Sequence, residues 1–195
     1  MEPPAEQPRA RLLDAAVGYA REHGLGDVSL RELAAAIGTS HRMLIYYFGS
    51  KEGLLAAVVQ AVEAEQREFL AGLAADPAIG PVEAMRAMWR RIADPGLWPS
   101  ERLFFEVYGQ ALQGRPHTTD LLDGIVDDWL DPITEINMSL GLPRAAARAH
   151  ARLGVAVTRG LLLDLLATGD QAGVDDAMDA FIDVYEAWLN ALAGG

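Results

Sequence analysis

Thr39, Ser40, His41 and Arg42 stand in an unbroken row, and Tyr46, Tyr47 and Lys51 follow shortly after. Hydroxyls, an imidazole, a guanidinium and an ammonium grouped in this way suit a polyanion. Hydroxyl and ammonium groups donate to phosphate oxygens, which fixes register, while a guanidinium can grip a guanine edge with two parallel hydrogen bonds. Leu44 and Phe48 are spaced to pack inward beneath that polar edge. A short helix with apolar residues below and polar residues at its exposed N-terminal positions fits docking in a major groove.

Other chemistries fail on residue type or spacing. Cysteine is absent, which removes disulfides, thiolate zinc sites and cysteine nucleophiles. His23, His41, His117 and His150 lie in separate segments with no HExxH pattern, and neither a GxSxG elbow nor a phosphate-binding loop is present. The acidic pairs Asp127-Asp128 and Asp175-Asp176 are sequence neighbours, so each splits across a helix and reads as a solvated face. No catalytic residue, metal or cofactor is expected.

The elements that must position the polar row read as helices throughout, punctuated by glycine and proline. Ala10 to His23 carries an apolar stripe and stops at Gly24. Ser29-x-x-Glu32 is a capping-box pattern that opens a short helix to Ile37, whose buried face is Leu30, Leu33, Ala34 and Ile37. Gly38 closes it, and Thr39 or Ser40 caps a third helix to about Tyr47. Ser50 opens a long helix from Lys51 to about Ala75. Further helices are predicted near 81–93, 100–113 and 118–140, the last kinked by Pro132, and then to about Ala167 and from Val174 to Leu192. The fold class is all-α, about nine helices with no sheet, and a boundary near residue 52 separates a three-helix head, 1–52, from a larger helical bundle, 53–195.

The 195 residues carry a formal charge of −12 and a pI near 4.6, which by itself argues against a nucleic-acid partner. The balance is uneven. Met1 to Leu55 holds six Lys/Arg against seven Asp/Glu, a net of −1, and the remainder a net of −11. Salt screens charges beyond about 8 to 10 Å, so the near-neutral head decides docking. Met1 to Gln7 is acidic and proline-rich, without the cationic start of a secretory signal. The longest apolar run, Leu153 to Leu166, is interrupted by Arg159 and Asp164. A soluble, cytoplasmic protein with no membrane partner is the expectation.

The stretches Leu33-Ala34-Ala35-Ala36-Ile37-Gly38-Thr39-Ser40 and Leu44-Ile45-Tyr46-Tyr47-Phe48-Gly49-Ser50-Lys51-Glu52-Gly53-Leu54-Leu55 resemble the DNA-binding signature of the TetR family of transcriptional regulators. The resemblance covers Arg9 to Leu55. It implies a homodimer that binds a DNA operator and pairs through its last two long helices, with an effector pocket in the larger domain. Repression would be relieved when ligand respaces the two heads. By position it assigns Arg31, His41, Arg42 and Tyr47 to base or near-base contact, and Ser29, Thr39, Ser40, Tyr46 and Lys51 to the phosphates. Two positions depart from the family pattern. Arg42 stands where a small residue or proline is common, and Ile45 where a tyrosine often stands, so that Arg42 is a candidate for guanine and Ile45 for a thymine methyl. The competing reading is an all-helical adaptor or ligand-binding protein with a vestigial head, against which the polar edge at Arg42 and Lys51 speaks.

Trp89, Trp98, Phe104, Phe105 and Tyr108 cluster within twenty positions, as a site for a small, largely apolar effector would. Met85, Met88, Trp129 and Met138 could add walls, and Arg91, Gln110, Asn137, Arg152 and Arg159 polar handles. The same spacing also serves an ordinary core. Arg159, inside an apolar run, needs a partner such as Asp128 or Asp164, or a path to the surface. Met178, Phe181, Ile182, Tyr185, Trp188 and Leu189 recur at helical spacing. With the preceding helix they suggest a two-fold interface, for which Val157, Leu161, Phe181, Tyr185 and Trp188 are the candidates.

Overall fold

The computed structural model describes residues 6–193. Among them the regular structure is helical, with no strand. The α-helices are α1 (Glu6–His23), α2 (Leu30–Ala36), α3 (His41–Phe48), α4 (Lys51–Ala75), α5 (Pro81–Ile92), α6 (Trp98–Leu112), α7 (Asp127–Ser139), α8 (Arg144–Thr168) and α9 (Gln171–Ala193). Short 3-10 turns at Pro95–Leu97 and Thr119–Leu122 precede α6 and α7. None of the described helices is long and apolar enough to cross a membrane.

Sequence reading and structure disagree over 118–140. A single helix was expected there, but only the 3-10 turn at Thr119–Leu122 and then α7 form. Gly124 breaks the run: its φ of +89° is outside the helical region, and the side chain of Asp128 lies only 2.7 Å from where a Cβ would sit. Pro132 lies within α7.

The described residues pack as two units interleaved in sequence, residues 6–65 with 95–123 and residues 66–94 with 124–193. In the first unit α2 packs on α3, and α6 packs on α1. Leu103, Val107 and Ala111, spaced four apart, form the buried face of α6. Arg21 on α1 pairs with Glu65 on α4.

In the second unit α7 packs on α8, and α9 packs on both α8 and α5. Ala147 and Ala151 on α8 are fully buried, small enough to let α7 come close. Asn137 donates to the Ala147 carbonyl at 3.1 Å and accepts from the Tyr185 hydroxyl at 2.8 Å. Burial pushes the Tyr185 hydroxyl above its usual pKa. Of the carboxylates read as solvated faces, Asp127, Asp128 and Asp176 are exposed, and Asp127, Asp128 and Asp175 also meet side chains of other helices. Arg148 donates to Asp127 and Asp131, each at 2.6 Å, and Arg67 faces Asp128 at 3.6 Å. On α9, Asp175 accepts from the Trp89 indole at 2.7 Å, and Arg86 reaches Asp179 and Asp183.

The junction of α3 and α4 is the tightest point of the first unit. Gly49 ends α3 with φ of +77°, and the Ser50 hydroxyl then accepts from the Gly53 N–H at 3.0 Å. A Cβ on Gly53 would lie 2.2 Å from the Phe48 carbonyl oxygen, a backbone atom with no freedom to swing aside. Gly53→Ala is therefore expected to destabilise the protein by about 1–3 kcal/mol in urea unfolding. Gly72→Ala, in the same helix with nothing within 4 Å, should be neutral or stabilise by up to about 1 kcal/mol. Equal effects of the two substitutions would show that the contact with Phe48 does not constrain the junction.

Candidate nucleic-acid interface

The head is built from two capped helices and a glycine turn. Ser29 precedes α2 and forms the expected capping box: the Glu32 N–H donates to the Ser29 hydroxyl at 3.3 Å, and the Ser29 N–H donates to the Glu32 carboxylate at 2.8 Å. The Ser29 hydroxyl, and after it the Ser29 N–H, hold the Glu32 carboxyl below its ordinary value. Gly38, at φ of +71°, turns the chain, with the Thr39 N–H donating to the Ala34 carbonyl at 2.8 Å and the Gly38 N–H to Ala35 at 3.4 Å. This pair of bonds is a Schellman closure. Ser40 then caps α3, accepting from the Met43 N–H at 3.2 Å.

Anchored this way, α3 buries Leu44 and Phe48 and turns its remaining residues outward. Phe48 is held from the other side by Arg9, whose guanidinium lies 5.2 Å from the ring centroid. His41 and Arg42 are exposed, and Tyr46 is the most exposed large hydrophobic side chain of the head at 74%. Tyr47 is half-buried with its ring edge-on to Tyr46, centroids 4.9 Å apart. Arg31 is exposed on α2 and Thr39 half-buried in the turn. The Lys51 ammonium donates to the Gly26 carbonyl at 3.0 Å, tying the start of α4 to the loop between α1 and α2. It keeps further N–H groups for an anion. Ser29 and Ser40 accept from backbone N–H groups, which leaves each hydroxyl proton to donate. Met43 and Ile45, each 37% exposed, share this surface. Met43 was not singled out from sequence, because a methionine beside Leu44 and Ile45 reads as one more apolar residue of the helix.

A short capped helix with an outward polar edge, set against a second helix across a glycine turn, has the arrangement of a helix-turn-helix head. Residues 12–58 match the family described as "Bacterial regulatory proteins, tetR family". Over those residues the head is similar to that of tetR-family transcriptional regulators. The chain is 31% identical over 80 residues to the HTH-type transcriptional regulator BetI of Stenotrophomonas maltophilia, 41% of this chain and 41% of that protein. It is 45% identical over 58 residues to the HTH-type transcriptional regulatory protein RaaS of Mycobacterium tuberculosis, 30% of this chain and 27% of that protein. The match therefore spans less than half the length of either curated relative. The likeness to a solved transcriptional regulator from Rhodococcus sp. RHA1 extends further: 93% of this chain and 95% of that one, at 25% identity and a TM-score of 0.69.

The effector candidates fall in both units. In the first, Phe105 and Tyr108 are half-buried on α6, and both rings meet the buried Phe104, with centroids 5.1 Å and 5.6 Å away. In the second, Met85 and Met88 are half-buried, while Trp89 and Trp129 are buried. Arg159 donates to the Ile125 carbonyl at 2.6 Å. Arg91 lies over the Phe69 ring at 4.6 Å and donates to the buried Gln66.

The interface candidates Val157, Leu161, Phe181, Tyr185 and Trp188 are all half-buried within the second unit. The Tyr185 hydroxyl is spent on Asn137, and the Trp188 ring stacks on His150 at 3.9 Å. Exposed apolar surface lies on another stripe of these helices. On α8 it runs through Ala149, Leu153, Ala156, Gly160, Leu163 and Ala167, and on α9 through Gly173, Ala177, Ala180, Val184 and Ala187. Both stripes step alternately by four and three residues, a heptad spacing legible in the sequence but masked there by larger aromatic neighbours.

The capping box has a pH signature. Glu32 titrates below its ordinary value in the folded state, so its contribution is present above that ordinary value and lost as pH falls through the folded one. Ser29→Ala should move the Glu32 carboxyl titration, followed by NMR, up toward the ordinary range. Its destabilisation should also be larger at neutral pH than in acid. An unchanged Glu32 titration would refute the role given to Ser29.

Proposed function

We propose that the protein is a homodimeric, ligand-responsive repressor that binds a palindromic operator and is released by a small, largely apolar effector. The observation that carries this reading is the outward edge of α3, where His41, Arg42 and Tyr46 are exposed above the anchored Leu44 and Phe48. In this reading Arg31, His41, Arg42 and Tyr47 address bases, while Ser29, Thr39, Ser40, Tyr46 and Lys51 hold phosphates. The acidity outside the head keeps non-specific attraction to DNA weak, so affinity rests on these few contacts.

Dimerisation is supported by the two exposed stripes. Leu153 and Leu163 on α8 are 52% and 51% exposed and Val184 on α9 is 70% exposed, with alanine and glycine filling the positions between. Small residues let helix backbones approach closely, and an isologous pairing of α8 and α9 with their copies forms a four-helix seam. Such a dimer offers two reading helices to half-sites about 34–36 Å apart or a multiple of that. Met85, Met88, Trp89, Trp129 and Arg159 are the effector candidates of the second unit, and Phe105 and Tyr108 those of the first. Release acts through α4, which begins at the reading head and continues into the second unit.

Two measurements test this reading. Operator affinity should fall with salt on a log–log slope of roughly −0.9 per phosphate neutralised, and Lys51→Ala should reduce that slope by about one per half-site, equally for all sequences. A flat salt response, or no sequence enriched from a random duplex pool, would favour the adaptor. Val184→Glu should leave a folded monomer in sedimentation and weaken operator binding by roughly a hundredfold or more, the loss of bivalency. A variant that stays dimeric would place the interface elsewhere.

A further inference from the structure

Helix α3 exposes two large apolar side chains that phosphate recognition gives no use to. At about 100° per residue, its outward arc runs Ile45, Arg42, Tyr46, Met43, opposite the buried pair Leu44 and Phe48. Tyr46 stands near the centre of that arc at 74% exposure, and Ile45 and Met43 close its two flanks at 37% each. Arg42 lies between them, exposed, in the first turn. The head therefore presents one cation and one phenol bracketed by hydrocarbon.

The major groove displays hydrogen-bonding edges on every base pair but only one apolar group, the C5-methyl of thymine. Apolar side chains on a reading helix find no other matching partner there. A β-branched isoleucine offers a stiff methyl surface on one flank, and an unbranched methionine an adaptable thioether on the other. We propose that Ile45 and Met43 each cover a pyrimidine C5-methyl, so that the half-site carries a guanine taken by Arg42 with thymines on both sides of it. The specificity is then partly hydrophobic. Removing one methyl changes it without touching any hydrogen bond, and 5-methylcytosine, which bears the same group, satisfies it in place of thymine. This inference rests on the operator-binding reading above and names what that reading recognises.

The test separates the two. Duplexes selected from a random pool by the full-length protein define the half-site, and each thymine is then replaced singly by deoxyuridine, which lacks only the methyl. Binding by the unaltered protein should weaken about fourfold at each of two positions per half-site, the effect of one buried methyl-sized group. Ile45→Ala should abolish the uracil sensitivity at one position and Met43→Ala at the other. Arg42→Ala should keep both sensitivities and lose the preference for guanine. Cytosine at a sensitive position should bind weakly, and 5-methylcytosine should recover most of the loss. Because both apolar residues are substantially exposed, the alanine variants should melt within a few degrees of the parent. Uracil substitution that is neutral throughout a selected half-site would overturn this inference and leave operator binding standing, as would sensitivities that persist in both variants. Failure to select any sequence would overturn both readings.

Discussion

The junction between α3 and α4 constrains the rest of the head. Gly49 leaves α3 in a conformation open to glycine, Ser50 caps the next helix, and Gly53 brings the first turn of α4 against the Phe48 carbonyl at a distance no side chain could tolerate. Phe48 is meanwhile clamped between its buried bed and Arg9. With that end fixed and the other closed by the Gly38 turn, α3 cannot rotate about its axis without losing Leu44 and Phe48 from the core. The direction in which Arg42 and Tyr46 point is therefore a property of packing, decided before any partner arrives. Preorganisation of this kind reduces the ordering cost at binding.

Much of this was legible from residue order because the signals were local. The capping box at Ser29 and Glu32, the terminating glycines and the alternation of buried and polar residues in α3 all act within a few positions, and the structure realises each as written. Signals between distant positions were not legible. Asp127, Asp128 and Asp175 looked like ordinary solvated carboxylates, yet Arg148, Arg67 and Trp89 claim them from other helices. Arg159 shows the same limit, since it donates to a backbone carbonyl, Ile125, that no residue type could announce. Gly124 was legible in principle, but its left-handed turn was outweighed by apolar periodicity on either side. On α8 and α9 the largest apolar residues drew attention, whereas the exposed apolar surface is lined mainly with the smallest.

The charge distribution and the packing divide the molecule along different lines. The near-neutral segment ends soon after α4 begins, while the unit that contains the reading helix extends to Glu65 and takes in α6 as well. An acidic total thus coexists with a near-neutral head because the two are properties of different stretches. The same distinction holds among the arginines. Those at 86, 144 and 148 are occupied by carboxylates on α7 and α9, whereas Arg31 and Arg42 are exposed with no acidic partner within ion-pairing distance among the described residues.

The inclusion of α6 in the first unit also bears on how the molecule is made. Leu103, Val107 and Ala111 belong to the core that α1 helps to build, yet they are encoded well after the reading helix. A nascent chain that has emerged only as far as Glu65 carries every residue of the reading edge but lacks one wall of its core. During synthesis the head stays incompletely buried until α6 leaves the ribosome, some forty residues later. A chain broken off before that point leaves α1 with an uncovered apolar face, the kind of surface that proteases and chaperones take up. Only chains synthesised past α6 therefore carry a complete core beneath α1.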